Sequence, residues 1–181
     1  MGNQNVYDRL EPLIYRRIAD AVAAALPVLD IACGDGRLIE FIASGTGRHT
    51  YGIDISLSNL IMARKKMEAQ GISNRVLLVA GDARQLCFRD KSFGSLIMLY
   101  SLHEIRYLSQ ALEEARRVLQ CGGKLIVVDP VKGGEAERLW NEPFYSLEEI
   151  KSMVTYAGFR ELISDFLYDD IVFLSAKNLP I

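Results

Sequence analysis

Short runs of aliphatic and β-branched residues alternate with stretches whose apolar positions recur every three or four residues, from Val28 to Gly123. The runs VLDIA (28–32), TYGIDI (50–55), RVLLVA (75–80), GSLIMLY (94–100) and KLIVVD (124–129) read as strands. Between them the periodicity predicts helices over about 35–44, 57–70 and 109–120. Ser56 serves as an N-cap, Gly71 as a stop, and Gly122-Gly123 ends the third helix. Only a short, weakly patterned segment follows RVLLVA. Strands apolar on both faces need helices above and below, which predicts an α/β fold with a mostly parallel, doubly wound sheet. Beyond it, Ser146 to Glu149 spells a capping box, and Leu147, Ile150, Met153, Val154 and Ala157 form one stripe before Gly158. ELISDFLY and IVFLSAK are separated only by Asp169-Asp170, too short a link for a parallel crossover, so the sheet is expected to finish in an antiparallel pair.

The first strand runs through a glycine-bearing turn, Ala32-Cys33-Gly34-Asp35-Gly36, straight into a helical pattern. Such a turn aims backbone N–H groups and a helix N-terminus at the ligand edge of an open sheet. Gly34 and Gly36 are expected to turn the chain tightly and leave no side chain over the site. Asp54, about twenty residues on, ends the second strand, where a carboxylate accepts hydrogen bonds from ribose hydroxyls. Turn and acid together predict a nucleoside-containing cofactor; the bland alternatives are a packing turn and a helix-terminal charge. A dinucleotide fingerprint needs a third glycine at position 39, which is Ile39 here, and this disfavours a pyrophosphate. Gly81-Asp82-Ala83 ends the third strand with a carboxylate suited to an adenine amine, or with an ordinary turn.

Composition narrows the picture. The chain has 181 residues, about half of them apolar, which suits one domain. A formal charge of −2 gives no general attraction to nucleic acid or to anionic membranes. Three widely spaced cysteines lack metal or redox spacing and read as reduced thiols, pointing to a cytoplasmic setting. No apolar run approaches the roughly 18 residues that span a bilayer, and neither a signal peptide nor the Ser or Thr of an acylation signal after Met1-Gly2 is expected.

The ordered set VLDIACGDGRL, YGIDIS, GDARQLCF, SFGSLIMLYSLHEI and RRVLQCGGKLIVVD, with YSLEEIKSMVTYAGF after it, resembles the class I S-adenosylmethionine-dependent methyltransferases. The similarity is greatest to the small-molecule branch that includes the ubiquinone and menaquinone biosynthesis enzymes. The resemblance implies a Rossmann-like, seven-stranded sheet of order 3-2-1-4-5-7-6 with strand 7 antiparallel, in one domain over 1–181. Within it, 1–27 would be a helical lid segment, 28–129 the cofactor core, and 130–181 a short substrate-side insertion, a helix and the strand pair. It places Asp30, Ala32, Gly34 and Gly36 around the methionine moiety of S-adenosylmethionine. Asp54 would meet the ribose, Asp82 and Ala83 the adenine, Tyr100 and Ser101 the methionine end, and Ile55 would also belong to the cofactor site. Ala32 departs from the family's usual first glycine. Tyr7 and Tyr15 would either close over the cofactor or pack the helix on the sheet.

A sulfonium methyl is already electrophilic, so transfer chiefly needs a nucleophile aligned in line and water excluded. His103, just after the fourth strand, is the candidate base, and the alternative is a histidine that only lines the site. Asp129 lies at the same edge. The insertion VKGGEAERLWNEPF is short, which implies an open pocket, a large substrate, or a partner chain or second copy that completes the site. Trp140 and Phe144 either cover the substrate or pack conventionally. The expected activity is methyl transfer to a small-molecule acceptor. A non-catalytic partner subunit of this fold and a nicotinamide-dependent oxidoreductase stand as alternatives.

Overall fold

A computed structural model describes residues 4–22, 27–47 and 49–180. Met1 and Gly2, on which the acylation reading rests, and 23–26 of the N-terminal segment lie outside the described residues. The elements are α1 (Gln4–Ala21), β1 (Val28–Ile31), α2 (Arg37–Thr46), β2 (Thr50–Asp54), α3 (Leu57–Ala69), β3 (Val76–Ala80), β4 (Phe93–Leu99), α4 (Leu108–Val118), β5 (Leu119–Pro130), α5 (Glu135–Trp140), α6 (Leu147–Tyr156), β6 (Arg160–Tyr168) and β7 (Ile171–Lys177). They form one sheet ordered β3-β2-β1-β4-β5-β7-β6. β1 to β5 pair in parallel, and β7 runs antiparallel to both β5 and β6, as expected.

Alternate residues of the central strands feed two cores. Leu125 and Val127 of β5 face α4 and α6, whereas Ile126 and Val128 face α1 and α2, and all four are fully buried. Ser56 caps α3 by accepting from the Asn59 amide, and the capping box at Ser146 and Glu149 forms in both directions.

One boundary differs from the sequence expectation. The helix before Gly122-Gly123 stops at Val118, and the glycines lie inside β5, Gly122 with φ of +78°. The cause is distant in sequence: the Asn178 side-chain amide donates to the carbonyls of Arg116, Leu119 and Gln120 at 2.8–3.2 Å. That amide takes up carbonyls an ending helix leaves open, and the glycines shape an irregular strand entry instead.

Candidate functional site

The carboxyl ends of β1, β2, β3 and β4 open onto a cleft of about 550 Å³, within the usual range for small-molecule sites. After Ile31 the backbone passes through the left-handed region at Ala32, Gly34 and Gly36, with φ of +56°, +52° and +77°. Ala32 holds a conformation that glycine adopts without strain. Gly34 lines the cleft, and a side chain there would meet nothing within 4 Å. Gly36 does otherwise. It is not on the cleft wall; a Cβ there would stand 2.9 Å from the Ala63 Cβ of α3. Here it lets α3 approach the turn closely. Ile39, where a dinucleotide site wants glycine, is fully buried against β2, and the room comes from Gly52, where a Cβ would collide with Ile39 and lie 2.7 Å from the Cys33 sulfur.

Asp54 fastens the turn to β2. Its Oδ2 accepts from the Gly34 amide at 2.7 Å and its Oδ1 from the Ser56 amide at 2.8 Å, which leaves each oxygen further acceptor capacity toward the cleft. Ile55, beside it, also lines the cleft and is largely exposed. Asp30 is buried on the same wall, and its Oδ1 has no hydrogen-bond partner. Burial, and then the charge of Asp54, hold its carboxyl well above the usual carboxylate range. A donor entering the cleft there would satisfy an otherwise orphaned oxygen.

At the other sheet edge Asp82 and Ala83 line the cleft, but Asp82 is already held. Arg84 grips its carboxylate through Nε at 2.9 and 3.0 Å, and the Arg84 amide donates at 2.8 Å. These bonds hold the Asp82 pKa down at about 2. Arg84 lines the cleft as well, a participant that sequence reasoning missed although it stands two residues from the acid.

Toward α1 the cleft is walled by Glu11, Tyr15, Leu99, Tyr100, Ile105 and Arg106. Arg37 at the start of α2 ties Glu11 down at 3.2 Å. Of the two tyrosines read as a lid, Tyr15 faces the cleft and Tyr7 does not. Tyr7 donates to Asp170 at 3.0 Å and packs edge-on against Trp140 at 5.1 Å, the arrangement of the packing alternative. Tyr100 borders the cleft with a buried, unpartnered hydroxyl. Ser101 is buried behind the wall, its Oγ also unpartnered. Trp140 stacks against Tyr7, Tyr100 and Phe144, which is the packing alternative.

His103 is not on the cleft wall, although Glu104 is. Its Nδ1 lies 3.0 Å from Asp129 and its Nε2 3.0 Å from Glu142, while the ring packs edge-on to Phe144 at 4.4 Å. Asp129 is buried and also accepts from the Leu102 amide. Burial would lower the imidazole pKa, but the hydrogen bond and charge of Asp129 outweigh it and hold the pKa above the ordinary value. With both nitrogens facing carboxylates, this imidazole offers no lone pair to a substrate proton unless Glu142 leaves Nε2.

Comparison with known proteins agrees with this geometry. A methyltransferase-domain family model matches residues 29–127, more than half of the chain. Methyltransferase GfsG of Streptomyces halstedii is 32% identical over 127 residues, covering 70% of this chain and 45% of the relative. The ubiquinone/menaquinone biosynthesis C-methyltransferase UbiE of Paracoccus denitrificans is 35% identical over 103 residues, covering 56% and 41%. The chain thus spans less than half the length of these curated relatives. A crystal structure of an S-adenosylmethionine-dependent methyltransferase from Aquifex aeolicus shares the fold with a TM-score of 0.79 at 21% identity, covering 94% of this chain and 93% of that one. Fold and family match together place the chain in the methyltransferase-domain family.

Proposed function

We propose that this chain binds S-adenosylmethionine in the cleft and transfers its methyl group to a small-molecule acceptor. The observation that carries the reading is the orphaned carboxyl oxygen of Asp30 beside the Gly34–Asp54 clasp, on one wall of the cleft. A bound amino-acid ammonium would supply the donor that Asp30 lacks. The spare acceptor capacity of Asp54 would take the ribose hydroxyls, with Ile55 against the sugar, and Asp82 with Ala83 would border the base. The Ala32–Gly34 backbone, Tyr15 and Tyr100 would flank the methionine end, with Ser101 behind Tyr100.

The reaction asks little acid–base chemistry of the protein. A nucleophile held about 3–3.5 Å from the methyl carbon and in line with the C–S bond forms the new bond as the C–S bond breaks to release S-adenosylhomocysteine, and a proton carried by the acceptor leaves to solvent at the open acceptor side. His103 has no part here as a base, because Asp129 and Glu142 occupy its nitrogens. The apolar end of the cleft, with Leu99, Tyr100 and Ile105, supports an acceptor carrying a hydrophobic body. The quinone-pathway name of one relative points the same way. The unpaired cysteines support a cytosolic setting, and no described helix is long and apolar enough to cross a membrane. The short α5 cover supports completion of the acceptor side by a second chain.

Incubation with S-adenosylmethionine labelled on its methyl group, against a panel of quinols, sterols and polyketide phenols, tests the reading. Label should appear in one acceptor class and, at subsaturating S-adenosylmethionine, fall at least about tenfold with Asp54→Ala. A chain that binds S-adenosylhomocysteine but transfers label to no acceptor would favour the non-catalytic partner reading.

A further inference from the structure

We propose that His103, Glu104 and Glu142 form a site for a divalent first-row transition-metal ion on the acceptor side of the cleft, with Asp129 as the residue that orients the histidine. One imidazole nitrogen and one carboxylate oxygen from each glutamate all lie within 4.8 Å of one another. Bonds of about 2.0–2.2 Å hold an ion's ligands some 3–4 Å apart, so closing the set shortens its separations by at most about 1–2 Å. Glu104 and Glu142 are exposed, and Glu142 would exchange its 3.0 Å contact with Nε2 for the ion.

Two further features set this group apart from a chance acidic cluster. The first is the support behind the imidazole. The side chain of His103 is 5% exposed; buried Asp129, itself outside the ligand set, fixes Nδ1, and this leaves Nε2 as the outward nitrogen. Ligating histidines are held in the same way, the second nitrogen bonded to a carboxylate that sets tautomer and ring orientation, with an apolar shell alongside, here Phe144 at 4.4 Å. The second is uncompensated charge. Among the described residues no lysine or arginine pairs with Asp129, Glu104 or Glu142. Three carboxylates therefore face one imidazole, and even an imidazolium leaves an excess of two negative charges.

One imidazole with two carboxylates suits manganese, iron, cobalt or zinc better than magnesium or calcium, which favour all-oxygen sets. Glu104 also borders the cleft, so the ion's remaining positions would open toward an entering acceptor. Resting on the methyl-transfer reading, the acceptor class this favours is one with a phenolic, enolic or phosphate oxygen near the accepting atom, held by the ion.

The test is titration of the purified chain with Mn2+, reading the free ion by electron paramagnetic resonance, with Zn2+ as competitor. One Mn2+ per chain should bind with micromolar affinity and be displaced by Zn2+. Glu142→Gln and Glu104→Gln should each weaken binding at least tenfold, and Asp129→Asn about 10–100-fold. Each variant is also titrated with S-adenosylhomocysteine, whose retained binding in Glu142→Gln shows an intact fold. Equal Mn2+ affinity in wild type and Glu142→Gln, or binding only at millimolar ion, overturns the site. Ion binding without S-adenosylhomocysteine binding would leave the ion site standing and sink the cofactor reading alone.

Discussion

The Gly34 amide donates to the Asp54 carboxylate at 2.7 Å, so the turn after the first strand and the tip of the second are one bonded unit. The same carboxylate therefore organises the turn and, in the proposed function, receives the ribose. Asp54→Ala should weaken S-adenosylhomocysteine binding by roughly 1.5–3 kcal/mol, through lost charge-assisted hydrogen bonds and a Gly34 amide left without a partner. Calorimetric titration of the variant checks it; unchanged affinity would remove Asp54 from the cofactor site.

The two turn glycines should separate in a stability measurement. Gly34→Ala meets open space and bears only the left-handed backbone strain, roughly 1–2 kcal/mol. Gly36→Ala bears that strain and also presses on Ala63 and Met67, for a total of roughly 2–4 kcal/mol. Urea unfolding of both variants should rank Gly36→Ala as the less stable; the reverse order would contradict the packing role given to Gly36.

The Asp82–Arg84 pair predicts an acid-side signature. The folded carboxyl titrates at about 2, below its ordinary value near 3.9, so the pair's stabilisation is complete above that ordinary value and fades as pH falls through about 2. Arg84→Ala should return the Asp82 pKa toward 3.9, as followed by carboxyl carbon chemical shifts. A pKa still near 2 in that variant would show that the backbone donor alone sets it.

His103 predicts the opposite sense. Its folded pKa lies above the ordinary value of about 6.5, so the stabilisation from its carboxylate partners is complete below 6.5 and is lost as pH rises through the raised value. Imidazole proton shifts in metal-free protein should give a pKa above 6.5. Asp129→Asn should lower it more than Glu142→Gln, because Asp129 contributes the hydrogen bond and the larger charge effect. A wild-type pKa at or below 6.5 would contradict the pairing.

The mostly parallel α/β architecture, the antiparallel ending and both side-chain caps were legible because each rests on local signals: apolar runs, a Ser-x-x-Glu box, a link of two aspartates; the strand order followed from the family resemblance alone. The end of α4 was not, since Asn178, some sixty residues away, supplies the groups that stop it. The site divides in the same way. Gly34, Asp54 and Asp82 follow from strand ends and spacing, whereas the room for Ile39 depends on Gly52 across the sheet, and Tyr7 is drawn from the cleft by Asp170 at the far end of the chain. The partners of His103 come from β5 and from the loop after α5, so its confinement had no local signal. Arg84 alone was near enough to have been found.

The most direct test of the account is calorimetric titration of the purified chain with S-adenosylhomocysteine, alongside NADH. The account predicts saturable binding of S-adenosylhomocysteine at one site per chain, with micromolar affinity, and no heat from NADH. Binding of NADH in preference, or of neither ligand, would contradict it.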